Sequence, residues 1–441
     1  MGQTPDSMDS KQSVSQLLAE ANECLDRGDF NQAIELFKQA IASEPAEATI
    51  YASLENALVK TLNDQDSVVR VCVELLELYP DSPDLHVILN RIVRTRLSES
   101  NFERLRAALV NAIGQLSHQD TFLFKYVHLN VALLCLNQGK VDEGRGYCQD
   151  AIQASLKRTH PDFVRDNWNQ GIVKGPDFLL LGFMKCGTTA LHKFVTEHPR
   201  VLPGITKEPF FFQVRLKKFE QANSSGQWEN FDRDIEFYKS HFPPRPESGC
   251  FQAGEASATN VYLGVEHVLA RYFPDVKLIV ILRDPVERAV SHYHHRVRSG
   301  FEPRSFSEAI ESQLHELDNL SEAGILQKIR NIRANDYVAQ GLYYYFLNQW
   351  MQVFPREQFL VLENDELNGR PTETMDKVFE FLKLPPCQLE ANSRYNVGSY
   401  QEQQDPQVLG RLSEFYQEHH SKLERLGIPS SLGCEKRRLA S

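Results

Sequence analysis

The sequence predicts an α/β fold, a parallel sheet flanked by helices, preceded by an all-α helical-repeat domain. Three observations carry this. Residues 177–199, DFLLLGFMKCGTTALHKFVTEHP, pass from a continuous apolar run through a glycine-bounded turn into helical spacing. Two later runs, KLIVIL at 277–282 and FLVLE at 359–363, are short and β-rich, and helical segments follow both, including 287–298 and 375–382. Strands that alternate with helices in this way build parallel sheets. Ahead of them, from Ser15 onward, the pattern is helical, with small residues recurring at fixed offsets.

The chain's 441 residues suit about two or three domains. Residues 1–12 are polar and expected to be disordered, 13–155 form the helical repeats, and 156–175 are a linker ending at the Gly175-Pro176 break. The α/β domain occupies 176–430. A tail follows at 431–441, in which Lys436, Arg437 and Arg438 read as a solvated terminus.

Composition narrows the function. The hydrophobic share is 41%, the charged share 24% and the formal net charge −11, so general nucleic-acid binding, which needs a basic footprint, is not expected. No apolar stretch approaches the roughly 18–20 residues of a membrane span, and the N-terminus lacks the apolar centre of a signal peptide. Asp6 stands where a myristoylation signal has Ser or Thr. The expected location is cytoplasmic. The eight cysteines form no C-x-x-C pair and read as reduced thiols, without zinc or iron–sulfur spacing.

In the helical region, Ala21, Gly28, Phe30, Ala33, Phe37, Ala40 and Pro45 fall at the small, aromatic and breaker positions of a tetratricopeptide repeat, which this stretch resembles. Pro80 lies about one repeat of 34 residues beyond Pro45. Phe102 to Ala112 looks like the second helix of another unit, and Ala132, Gly139, Val141, Gly144 and Ala151 recover the first offsets. About four helical hairpins result. Two readings stay open: a domain that only packs on its neighbour, or a concave surface holding a protein or polymer partner.

The loop after the first strand is Gly182-Phe183-Met184-Lys185-Cys186-Gly187-Thr188-Thr189. A small-residue turn into a helix start gathers backbone N–H groups and the positive end of the helix dipole, which bind phosphate or sulfate. The pattern is P-loop-like, since Gly182, Gly187 and Thr189 match G-x-x-x-x-G-K-[ST]. Thr188, however, stands at the lysine position, and the lysine has moved inward to Lys185. Asp284 follows a strand, but between Arg283 and Pro285 it does not look like a magnesium ligand.

On these residues the loop resembles the 5′-phosphosulfate loop of sulfotransferases that use 3′-phosphoadenosine 5′-phosphosulfate, with Cys186 as in bacterial members related to the glycan and heparan branch. A second segment, 277–303, resembles that family's 3′-phosphate motif: Arg283 at a strand end and Ser291 eight positions on, along a helix. Arginine offers a planar, permanently charged fork and serine a hydroxyl donor. A third, Thr206 to Phe212, resembles the K-E-x-x-[FY]-F stretch in which the glutamate, here Glu208, is the candidate general base. Beside Phe210, Phe211 and Phe212 its carboxylate could be partly desolvated, which would raise its pKa. The alternative is a surface Lys207–Glu208 pair ahead of a buried aromatic cluster.

Other segments fit less directly. Gly254 to Thr259 resembles the next active-site strip, but Glu255 and Ala256 replace the lysine of the glycan enzymes. Residues 341–350, Phe354-Pro355 and 359–367 resemble family scaffold. His292 and His295 share a helix face while His294 points away; without nameable further ligands, zinc is not expected.

The resemblance implies a sulfotransferase fold and transfer of a sulfuryl group to an acceptor hydroxyl of a glycan or small molecule, without a metal. Lys185, Cys186, Gly187, Thr188 and Thr189 would hold the 5′-phosphosulfate, Arg283 and Ser291 the 3′-phosphate. Lys185 and Glu208 would be catalytic. Two other classes remain: a P-loop nucleotide kinase, and a non-catalytic interaction protein whose second domain is a relic. Which acceptor is used does not follow from the residues.

Overall fold

The computed structural model describes residues 13–45, 47–116, 121–247, 249–389 and 404–428. The first twelve residues and the basic tail at 436–438 fall outside them. The chain divides into two compact units, residues 1–155 and 156–441.

In the first unit every described element is a helix, and local sequence sets the boundaries. Ser13 and Gln16 form a reciprocal capping box at the start of α1 (Val14–Arg27). Gly28 ends α1 at φ 82°, a left-handed position that suits glycine, and Asp29 then caps α2 (Phe30–Ser43). Ala21, Ala33, Phe37 and Ala40, the small and aromatic positions of the first hairpin, are fully buried.

α3 (Ala48–Lys60), α4 (Gln65–Leu78), α5 (Pro83–Ile92), α6 (Glu99–Gln115), α7 (Thr121–Gln138) and α8 (Val141–Thr159) follow. α3 packs on α5, α4 on α6 and α5 on α7, so each helix meets its second neighbour, as in stacked hairpins. Between α5 and α7, Asn90 Nδ2 donates to Asn130 Oδ1 at 2.9 Å, and Asn130 Nδ2 to the His86 carbonyl at 2.9 Å. This pairs buried amides that would otherwise cost stability. Among the described residues no helix is long and apolar enough to cross a membrane.

The second unit is built on a four-stranded, wholly parallel sheet of order β2-β1-β3-β4. β1 is Phe178–Gly182, β2 Gly254–Glu255, β3 Lys277–Leu282 and β4 Phe359–Glu363. All of β1 is buried, as is β3 from Leu278 to Leu282, which explains their unbroken apolar runs. β2 has only two residues and no apolar run. Its Gly254 is required by close approach: a Cβ there would stand 2.3 Å from the Phe178 carbonyl oxygen.

Residues 156–175, expected as a linker, are largely helical: α8 continues to Thr159 and α9 spans Pro161–Asn167. The entry to β1 is fixed by Arg245, fully buried, whose Nε lies 2.9 Å from Asp177 and whose guanidinium also donates to the carbonyls of Gly175 and Pro243. α10 (Thr188–Glu197), α11 (Phe211–Ser225), α12 (Glu229–Lys239) and α13 (Glu266–Tyr272) follow β1 and surround β2 in sequence. After β3 come α14 (Pro285–Arg298), α15 (Phe306–Asp318), α16 (Glu322–Arg330) and α17 (Tyr343–Met351). α18 (Asn364–Gly369), α19 (Pro371–Phe381) and α20 (Pro406–His420) complete the unit.

Candidate active site

The carboxyl ends of β1 and β3, adjacent in the sheet, open into the two loops that carry the expected anion-binding residues. Ligands favour this edge of a parallel sheet. After Gly182 the chain turns so that the Cys186 amide bonds to the Phe183 carbonyl at 3.1 Å. Gly187, at φ 101°, is the residue before α10, which starts at Thr188. The amides of Thr188, Thr189 and Ala190 are thus left without partners inside the helix. Lys185 sits in the left-handed region at φ 68°, a conformation that costs a non-glycine residue on the order of 1–2 kcal/mol.

Two side chains far along the sequence hold this loop. Asn364, at the start of α18, donates from Nδ2 to the Cys186 carbonyl at 2.9 Å. Its amide fills the space a side chain on Gly187 would need, since a Cβ there would lie 2.5 Å from Nδ2. Tyr343, fully buried, donates its hydroxyl to the Arg283 carbonyl at 3.0 Å and lies 3.4 Å from Cys186 Sγ. One ring therefore ties the β1–α10 loop to the β3–α14 loop. Burial pushes the Tyr343 hydroxyl well above its ordinary pKa and raises that of the Cys186 thiol.

Arg298, Arg283, Lys207 and Glu208 all lie within electrostatic reach of Lys185. Lys185 is held below the ordinary lysine pKa, first by burial and then by the like charges of Arg298, Arg283 and Lys207, against which Glu208 acts. Such an excess of positive charge in a partly buried place is the electrostatic complement of a polyanion. It fits the phosphosulfate nucleotide that the resemblance implies.

Arg283 follows the end of β3, and its Nε and Nη2 lie 3.1 and 3.0 Å from Glu287 Oε2. This pair is substantially exposed, and exposed pairs contribute only about 0–1 kcal/mol, so an incoming phosphate can replace the carboxylate. Ser291 is buried on α14. Asp284 is occupied as the cap of that helix, accepting from the Glu287 amide at 2.9 Å.

Glu208 is partly covered and ion-paired with Lys207, as the alternative reading expected, and Phe211 and Phe212 pack against Tyr238. The buried carboxyl is that of Glu255, at the end of β2. Burial, with a smaller contribution from the charge of Glu208, pushes its pKa up to about 8. Glu255 Oε1 accepts from Asn260 Nδ2 at 2.8 Å. The next residue, Ala256, donates its amide to the Lys207 carbonyl at 2.9 Å, which docks the Lys207–Glu208 segment on β2.

His292 is buried and His295 lies nearer the surface, and both face one cavity. His294 contacts Gln404, Nε2 to Nε2, at 3.1 Å. Among the described residues no group of three or more His, Cys, Asp or Glu could hold a metal ion. Asn364, Tyr343 and Glu255 were not singled out as site residues from sequence. Glu255 had one available signal, a carboxylate directly after a strand-breaking glycine where a lysine strip was expected to follow.

The geometry defines a parallel α/β domain with a cationic anion cradle at the strand ends. Residues 175–421, over half of the chain, match the family described as "Sulfotransferase domain", and the chain belongs to that family. Human bifunctional heparan sulfate N-deacetylase/N-sulfotransferase 2 is 28% identical over 214 residues, 48% of this chain and 22% of that protein. Human carbohydrate sulfotransferase 15 is 27% identical over 247 residues, 48% of this chain and 44% of that one. The chain thus spans less than half the length of these relatives. A sulfotransferase crystal structure from Alicyclobacillus acidocaldarius aligns with 57% of this chain and 95% of its own, at 23% identity and a TM-score of 0.42.

Proposed function

We propose that the second unit transfers a sulfuryl group from 3′-phosphoadenosine 5′-phosphosulfate to an acceptor hydroxyl. The observation that carries this is the convergence of Lys185, Lys207, Arg283 and Arg298 at the β1–α10 loop, where burial and then the like charges of Arg298, Arg283 and Lys207 lower the Lys185 pKa. When bound, the donor supplies a sulfuryl group joined through an oxygen to the 5′-phosphate.

The amides and hydroxyls of Thr188 and Thr189, with the amide of Gly187, hold the 5′ end, while the Cys186 amide, bound to the Phe183 carbonyl, keeps the loop in shape. Arg283 and Ser291 hold the 3′-phosphate, so remote binding energy aligns the sulfur. Glu208 takes the acceptor proton as the new S–O bond forms. Lys185 neutralises the phosphate oxygen as the old S–O bond breaks and adenosine 3′,5′-bisphosphate leaves. The family membership and the dual tie through Tyr343 support this division of labour. Glu208 can serve as the base from its half-exposed position because Glu255, beside it, keeps its proton near neutral pH. In the first unit, we read the stacked hairpins as tetratricopeptide-like repeats.

The test is turnover of labelled donor together with binding of the bisphosphate product. Lys185→Ala should lower kcat by about 10²–10³-fold while product binding changes little. Arg283→Ala should mainly weaken product binding, by about 10–100-fold for a lost charge-assisted contact. Negligible effects of both substitutions would sink the assignment.

A further inference from the structure

Three arginines are buried among the described residues: Arg215, Arg245 and Arg288. Two of them have a carboxylate. Arg215 Nε lies 3.3 Å from Asp234 Oδ2, and Arg245 Nε lies 2.9 Å from Asp177 Oδ2. Arg288, fully buried on α14, has no such partner among the described residues. Its guanidinium donates to the Tyr337 carbonyl and lies 3.5 Å from His292 Nδ1, while its Nε meets no acceptor.

The groups around that guanidinium are neutral. Tyr262, Tyr343, Tyr416 and Cys186 lie within its electrostatic reach. Burial holds each hydroxyl and the thiol above its ordinary pKa, so at neutral pH all four keep their protons. His292 is held well below its ordinary pKa, first by burial and then by the charge of Arg288, and is neutral as well. Asp284, one turn back, spends Oδ1 on the Glu287 amide as the cap of α14. A guanidinium cannot shed its proton to escape burial. Arg288 is therefore a permanent charge in dry surroundings without an anion beside it, a costly arrangement unless something offsets it.

Its place in the fold says what does. Arg288 precedes Ser291 by three residues on α14, a spacing that makes the two neighbours on the helix surface. Its charge also reaches Cys186 in the β1–α10 loop. Tyr343, again within its reach, is the ring that ties that loop to the β3–α14 loop. The uncompensated charge thus lies next to both loops that would carry the nucleotide's phosphates.

We propose that Arg288 is the buried counter-charge of the bound nucleotide and a specificity-determining residue for it: without touching a phosphate, it favours the multiply charged 3′,5′-bisphosphate over nucleotides of lower charge. This rests on the sulfuryl-transfer reading above. The charge is unfavourable in the empty protein and is offset when the anion arrives. A field without contacts scales with the charge of the ligand, which separates this role from that of Arg283.

The experiment measures binding of adenosine 3′,5′-bisphosphate and adenosine 3′-monophosphate to the whole protein by calorimetry, for the wild type, Arg288→Gln and Arg288→Lys. Glutamine and lysine both retain an N–H donor, but only lysine retains the charge, and about pH 6 favours its protonated form. Arg288→Gln should weaken the bisphosphate by about tenfold and the monophosphate, with about half the charge, by only about threefold. Arg288→Lys should stay within about threefold of the wild type for both ligands. Equal losses in the two variants, equal losses for the two ligands in Arg288→Gln, or no loss at all overturns the proposal. If Arg288→Gln does not fold, Arg288→Met takes its place. Failure of both neutral variants to fold, with or without the lysine variant, means that the protein itself needs this side chain, and also overturns the proposal. A wild type that binds neither nucleotide defeats the transferase reading instead.

Discussion

Glu255→Gln should flatten the pH dependence of stability, and the size of the effect can be worked out from burial. In the folded protein the Glu255 carboxyl is fully buried and its pKa is pushed from 4.5 up to about 8. Between these values the folded chain keeps a proton that the unfolded chain releases, so stability falls as pH rises. The contribution is intact below pH 4.5 and is lost by about pH 8. At about 1.4 kcal/mol per pH unit, that interval is worth on the order of 5 kcal/mol. Glutamine has the same shape, carries no charge, and its oxygen can still accept from Asn260. Denaturant unfolding of both proteins from pH 5 to 8.5 would give the difference directly. The variant should match the wild type at the acid end and gain on it steadily toward pH 8. Parallel curves would refute the reasoning, because they would mean that Glu255 is not held protonated by its surroundings.

Other substitutions probe the loops. Glu287→Gln frees Arg283 from its surface partner and should tighten bisphosphate binding by up to about fivefold, the equivalent of the roughly 1 kcal/mol ceiling for an exposed pair; calorimetry would show it. Gly187→Ala must accept both φ 101° and a Cβ 2.5 Å from Asn364, and should cost about 1–3 kcal/mol in denaturant unfolding. Adding Asn364→Ala should recover the steric part of that loss and leave the backbone part. Asn364→Ala alone removes the bond to the Cys186 carbonyl, so it should lower labelled-donor turnover by several-fold through misplacement of Lys185, with a smaller change in stability.

What could be read from sequence was local. Phe178 to Leu181 and Leu278 to Leu282 announced strands because they are buried on both faces and so are apolar throughout, and Phe359 to Leu362, on the sheet edge and only partly buried, did so through its short β-rich run. β2 carried no such signal: it is two residues long, and Gly254 is there for its lack of a side chain. The anion-binding residues were visible because a turn between strand and helix must use particular residues at particular spacings.

The partners that set the site's properties were hidden by distance along the chain. Asn364 meets Cys186 across 178 residues, and Tyr343 bridges Cys186 and Arg283 from another helix. Glu208 stands next to three phenylalanines in sequence, yet Phe211 and Phe212 pack against Tyr238 and the Glu208 carboxylate pairs with Lys207.

Cys186 sits in the middle of the loop that the proposed chemistry depends on, yet its sulfur is fully buried against the Tyr343 hydroxyl. Nucleophilic attack requires the thiolate, and burial opposes its formation. This position therefore behaves as a small apolar filler that alkylating reagents and mild oxidants should bypass. Cys250, by contrast, is exposed. A maleimide dye added to the folded protein should attach there and leave donor turnover intact, which offers a fluorescent handle on the working enzyme without prior removal of the loop cysteine.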